Sequence, residues 1–255
     1  MKSLLKRTIF SLGVLCATFF SSDVFAIDNN IQFYSNENDV TVTQKEYDFI
    51  KNYYGEDFFE EMTLEDLEWI SDLDINNNDV TINTVYLYDN DDLNKQSSDR
   101  GVIHTTPSKK LTIAKSCSSS CIVTTYLKWL VNPTVRSYDL IGVRFHNTGL
   151  SNNTVITKLN SSYGTSYSYN TQYLSNGVGT SVLLPNGATN ISVEQKVYTT
   201  LGGTVFGSYQ HAISDITLQD SYNYIMSAGG YGSVFLFTNG MGNYYDAMNG
   251  VDISL

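Results

Sequence analysis

The sequence predicts a mainly β protein: an antiparallel β-sandwich or jelly-roll-like domain preceded by a small acidic helical segment. Three observations carry this reading. Past residue 100 charge becomes sparse and apolar residues recur with period two in short runs bounded by turn residues. Cys117 and Cys121 flank three serines, a spacing that can close a disulfide only if the chain doubles back. Acidic residues crowd the first part: residues 27–99 hold 19 acidic and 3 basic side chains, against 6 and 9 in residues 100–255.

In chain order, Lys2, Lys6 and Arg7 precede an apolar run from Ile9 to Phe20 and the small-residue ending Val24-Phe25-Ala26. That is the pattern of a secretory signal peptide over residues 1–26, carrying Cys16 away with it, and it predicts a secreted, extracellular protein of bacterial type, with the periplasm as the alternative. The run is too short to cross a bilayer as a helix.

Residues 27–99 read as an acidic helical segment with a linker. Two helix starts stand out, the capping box Thr43-x-x-Glu46 and its shorter relative Thr63-x-x-Asp66. Tyr47, Ile50 and Tyr54 share one face of the first helix; Leu64, Leu67 and Ile70, with Trp69 beside them, share one face of the second. A pair this small has to pack its aromatic face on the remaining chain or on a partner.

Next, Asp72, Asp74, Asn76 and Asn78 alternate as the ligands of a calcium loop do. The likeness stops early, because Asn77 stands where glycine makes the turn and Asn83 where an acid should close the site. An Asn/Asp-rich turn accounts for the same composition. Calcium is the one cofactor this reading raises. Val80 to Tyr88 reads as a strand and residues 89–100 as a polar linker, which places the sandwich domain at 100–255.

Within that domain Leu111–Lys115 and Ile122–Leu130 read as two strands of a hairpin stapled by Cys117–Cys121. Tyr138–Phe145 follows the Asn132-Pro133 turn. Pro185-Asn186-Gly187 suggests a turn with proline at its first central position, and Ile191, Val193, Gln195 and Val197 alternate after it. Gly202-Gly203 has the spacing of a two-residue hairpin, and Val234–Phe237 reads as a central strand before a turn over Asn239–Asn243. Seven to nine strands without intervening helices predict the sandwich.

The candidate ligand surface lies in Ser161–Tyr173. Tyr163, Tyr167, Tyr169 and Tyr173 all occupy odd positions, so a continuous strand would present the four rings on one face. Tyrosines among Ser, Asn and Gly are typical of binding surfaces and stack on sugars. Rings covering the core with hydroxyls at its edge would give the same alternation.

No nucleophile elbow, zinc-protease motif, phosphate loop or dinucleotide fingerprint occurs. His146 or His211 could join a serine and an acid only as a coincidence of common residues. Glu194, outward on its alternating strand, reads as a poor buried acid for glycoside hydrolysis. The acidic balance excludes nucleic acid, which requires clustered Lys and Arg. These features predict a non-enzymatic binding or adhesion-type protein acting at or outside the cell surface on a carbohydrate or protein ligand. A pore-forming or membrane-active protein comes next, then a surface-polymer hydrolase; membrane insertion is disfavoured because tyrosine and threonine suit the interface rather than the hydrocarbon.

Overall fold

Cys117 and Cys121 face each other across Ser118–Ser120 with Cα atoms 4.1 Å apart and are disulfide-bonded. In the computed structural model they close the hairpin between β4 (Lys109–Cys117) and β5 (Cys121–Trp129). The structure describes residues 32–88, 107–168, 170–174, 176–213, 246 and 249–255, with two short paired strands, β13 (Tyr224–Ile225) and β14 (Leu236–Phe237). The expected signal peptide, the linker and the turn over Asn239–Asn243 lie outside the described residues.

The hairpin belongs to a six-stranded antiparallel sheet ordered β3-β4-β5-β11-β7-β8. Its other members are β3 (Asp79–Leu87), β11 (Ser192–Thr199), β7 (Leu150–Ser161) and β8 (Gly164–Ser168). A five-stranded sheet faces it, made of β6 (Tyr138–His146), β9 (Thr171–Leu174), β10 (Gly177–Leu183), β12 (Thr204–Gln210) and β15 (Asn249–Ser254) in the order β15-β12-β6-β10-β9. The fold is an antiparallel β-sandwich. Period-two patterning builds its core: Leu111, Ile113, Val123, Leu127, Val193 and Val197 from one sheet meet Ile141, Val143, Val178, Val182 and Val205 from the other.

Two features depart from the sequence reading. Gly202-Gly203 does not close a hairpin, because β11 and β12 lie in different sheets; both glycines have positive φ, +85° and +83°, and carry the crossover. A Cβ on Gly203 would fall 2.3 Å from the His146 carbonyl oxygen, so only glycine fits. At Pro185–Ala188 the Ala188 amide donates to the Pro185 carbonyl at 3.4 Å, so proline is the first residue of the turn and Asn186 and Gly187 are its centre.

The helical segment forms a third layer. β1 (Phe33–Ser35) and β2 (Thr41–Thr43) make a small ribbon, followed by α1 (Gln44–Tyr53), α2 (Phe58–Glu61) and α3 (Leu64–Ser71). Both predicted capping boxes are present, at Thr43/Glu46 and Thr63/Asp66. Ile50, Tyr54, Trp69 and Ile70 are buried, whereas Leu64 is exposed because it sits at the first turn, off the face that meets the sheet. The segment is not set apart by the linker. β3, which precedes residue 89, pairs along its length with β4, and a second core joins Val40, Phe49, Ile50, Tyr53, Met62 and Ile70 to Ala114 and Tyr126 of the sheet. The boundary expected at residue 100 therefore falls inside one compact unit, Gln32–Leu255.

Candidate functional site

The outer face of the six-stranded sheet mixes apolar residues such as Ala114, Tyr126 and Ile156 with charged and polar ones, and the helices pack on it. On β11, Val193, Gln195 and Val197 face the sandwich core, so Ser192, Glu194 and Lys196 face the helices. The sheet's lysines there reach the ends of the helices. Lys110 donates to the carbonyls of Asn52 and Tyr53 at the end of α1, at 3.3 and 3.0 Å, and Lys196 donates to Trp69 O in the last turn of α3 at 2.5 Å. Cations at these carbonyls complement the negative end of each helix dipole.

Two ammonium groups of the sheet lie against the Trp69 ring, Lys158 Nζ at 4.7 Å and Lys196 Nζ at 4.2 Å from its centre. These lysines pair with Asp66 at 3.3 Å and Asp72 at 3.1 Å. Glu194, only 1% exposed, corrects the sequence reading: its side chain does leave the sandwich core, but into a second core rather than into solvent. It accepts from the Tyr53 and Tyr54 hydroxyls at 3.0 and 3.1 Å. Burial raises its carboxyl above the usual range, while Lys158, the Trp69 indole, the Tyr53 hydroxyl and Lys196 pull it back.

The calcium-loop residues serve other partners. Asp72 accepts from Lys196, Asp74 Oδ1 from Asn77 at 2.8 Å, and Asn76 Oδ1 from the Thr43 hydroxyl at 2.9 Å. Asn78 donates to Leu73 O and Ser116 Oγ. These contacts tie the turn after α3 to α1 and β4. Among the described residues no group of three or more His, Cys, Asp or Glu side chains is placed to hold a metal ion.

The tyrosine stretch is not one strand. β7 ends at Ser161, Tyr163 lies in the turn to β8, and after β8 the chain crosses to β9 in the opposite sheet. Tyr169 lies outside the described residues. The other three rings are exposed, at 68% for Tyr163, 40% for Tyr167 and 49% for Tyr173, and run along the edge where β8 and β9 close the sandwich. Each hydroxyl is anchored: Tyr163 to Asn186 O at 3.2 Å, Tyr167 to Glu65 Oε1 at 2.8 Å, and Tyr173 to Asn153 O at 2.8 Å. The edge holds the rings as a row rather than a single face.

Beside this row, a cleft of about 400 Å³ opens between α2, α3 and the β7–β8 turn. Asp57, Phe58 and Glu61 form one wall, Tyr126, Lys128 and Ser192 the floor, and Ser162, Gly164 and Asn190 the other wall. Sequence reasoning missed it, because its residues come from four distant stretches. A smaller cavity of about 200 Å³ lies between the sheet edges against Tyr138, Tyr167 and Leu183.

At the far side of the sandwich, His211 Nδ1 lies 2.9 Å from both oxygens of the fully buried Asp139. The Tyr209 hydroxyl and the Ala212 amide also donate to Asp139, and the His211 ring meets Trp129 edge-on at 4.6 Å. Burial and the adjoining Asp139 hold the Tyr209 hydroxyl protonated far above its ordinary range. Lys109 and Asp246 pair at 2.5 Å, and Asp246 accepts from the His211 amide at 2.7 Å. Through Asp139 the cluster pins the end of β12 and the two residues after it to β6.

Comparison with known proteins adds little. No protein-family model and no curated protein matches the chain. Among solved structures, a chain from work on pH-induced modulation of Streptococcus parasanguinis adhesion by Fap1 fimbriae is similar at a TM-score of 0.33 and 12% identity, over 69% of this chain and 95% of that one. A chain from work on AvmM, which catalyses macrocyclization in alchivemycin A biosynthesis, is similar at 0.29 and 13%, over 70% and 89%. Likenesses of this size bear on neither function nor site.

Proposed function

We propose that this protein is a secreted, non-enzymatic binding protein of adhesion type, acting at or outside the cell surface on a carbohydrate or protein ligand. The observation that carries the reading is the row of Tyr163, Tyr167 and Tyr173, exposed yet each tethered through its hydroxyl. Tethering fixes the rings before a ligand arrives, so binding sacrifices little side-chain freedom while gaining broad aromatic contact. The row follows the edge for roughly the span of Asn153 to Ser161, about 27 Å at strand spacing, which suits an extended ligand.

The test is retention of the purified protein on immobilised saccharides, cell-wall material and extracellular proteins, with the Tyr163→Ala/Tyr167→Ala/Tyr173→Ala variant alongside. Retention that weakens about tenfold or more in the variant supports the reading. Retention on none of these surfaces overturns it. Dye release from liposomes at nanomolar protein would favour the membrane-active alternative; among the described residues no helix is long and apolar enough to cross a membrane, which leaves strand insertion to that assay.

A further inference from the structure

We propose that the cleft between α2, α3 and the β7–β8 turn is a saccharide site for an uncharged sugar unit, with Asp57, Glu61, Lys128 and Asn190 as its hydrogen-bonding groups and Phe58 as its stacking surface. The inference deepens the binding reading above and rests on it.

Most of the polar groups around the cleft already have partners. Asp66 caps α3 and pairs with Lys158, Asn160 accepts from Thr165, and Ser162 accepts from the Thr189 amide. Asp57, Glu61, Lys128 and Asn190 differ. Their side chains line the same cleft and make no hydrogen bond or ion pair with any other described residue. Two carboxylates, an ammonium and an amide gathered on one concavity, all uncommitted, are what a ligand rich in hydroxyls requires, since each hydroxyl both donates and accepts.

Phe58 supplies the apolar surface. It is half-buried, stacks on Tyr54 at 4.2 Å between ring centroids, and lines the cleft. The stacking fixes the ring, and a fixed ring can meet the C–H face of a sugar at little entropic cost. The volume falls within the roughly 300–1,000 Å³ of small-molecule sites, toward the small end, which fits one or two sugar rings rather than a long segment.

Charge selects the class of sugar. Asp57 and Glu61 outnumber Lys128, and the cleft sits on the acidic helical layer, so uronates and sialylated sugars are repelled while hexoses and N-acetylhexosamines are not. The cleft opens at the turn that carries Tyr163, so a chain continuing from a sugar seated there would pass onto the tyrosine row.

The experiment titrates the full chain with neutral hexose oligomers, N-acetylhexosamine oligomers, and uronate and sialylated counterparts. The Asp57→Asn/Glu61→Gln variant keeps the shape of two exposed side chains, and Asn190→Gly suits the positive φ of that residue, 54°. Expected is binding of a neutral sugar that falls about tenfold or more in either variant and is unchanged in Glu68→Gln, an exposed α3 acid outside the cleft. Binding that prefers acidic sugars overturns the proposal. Neutral binding that is indifferent to the cleft variants but lost in the tyrosine variant also overturns it and leaves the wider reading standing. Retention on proteins alone has the same consequence, and retention on nothing removes both.

Discussion

The hydroxyl of Tyr54, at the end of α1, donates to both carboxylate oxygens of Glu194, in the middle of β11, at 3.1 Å each. With the Tyr53 hydroxyl alongside, this contact makes a side chain of the six-stranded sheet part of the helical layer's own core. A buried carboxylate is costly unless its oxygens are satisfied, and here two tyrosines and two nearby lysines compensate it.

Glu194 gives stability a definite pH dependence. Its carboxyl is raised from 4.5 in the folded chain, so above pH 4.5 the native state binds more protons than the unfolded state and this group's contribution falls as pH rises toward the folded value. Glu194→Gln keeps the hydroxyl contacts and cannot ionise. Its thermal midpoint, followed upward from pH 4.5, is expected to decline less steeply than that of the parent protein; parallel profiles would show that Glu194 ionises as freely as in solvent.

Lys110 acts in the opposite sense at alkaline pH. Burial, and Lys128 close by, lower it from 10.5 to about 8 in the folded state. Between those values the unfolded chain binds more protons, so the contribution of Lys110 to stability rises with pH. Lys110→Met removes that rise. Chemical denaturation between pH 8 and 9.5 is the measurement, since buried tyrosines, whose values are raised, begin to oppose the trend near pH 10.

The two tryptophans report on different layers. Trp69, on α3, packs against Lys158 and Lys196 of the sheet, and Trp129 lies in the sandwich core. Because Ala114 and Tyr126 of the sheet belong to the helical core, the layers are expected to unfold together. Urea titrations of Trp69→Phe and Trp129→Phe, each read by its remaining tryptophan, should show the same cooperativity, with fluorescence and circular dichroism midpoints coinciding within each variant. A Trp69 transition well ahead of the loss of β signal would show a helical layer that melts alone. Trp69→Ala is expected to cost about 3–5 kcal/mol, the usual range for deleting a large buried ring.

Cys117→Ser/Cys121→Ser should fold and lose at most about 2 kcal/mol, the chain-entropy value for so short a loop. For a chain of this size that is at most roughly 8 °C in Tm. The loss is small because β3 and β5 hold β4 along its whole length whether or not the sulfurs are joined. Complete loss of structure would mean that the hairpin depends on its staple.

Much of this was readable from residue order, wherever the physics is local. Capping boxes at Thr43 and Thr63, the reversal at Cys117–Cys121 and the alternation of Val193, Gln195 and Val197 each depend on neighbours a few positions away. Leu64 was misplaced because spacing identifies a helical stripe but not where that stripe stops touching the sheet.

Alternation correctly sent Glu194 away from the sandwich core and was silent on what waited there, since α1 arrives from about 140 residues earlier. It also joined Tyr163, Tyr167 and Tyr173 into one face, because period two does not register the step from one sheet to the other between Ser168 and Thr171. The cleft could not be foreseen at all: Asp57, Lys128 and Asn190 come together only once the helical layer has stacked on the six-stranded sheet. Local sterics and patterning thus wrote the strands, caps and staple into the chain, whereas the buried acid, the row of rings and the cleft arise from long-range packing, which a linear order of residues does not encode position by position.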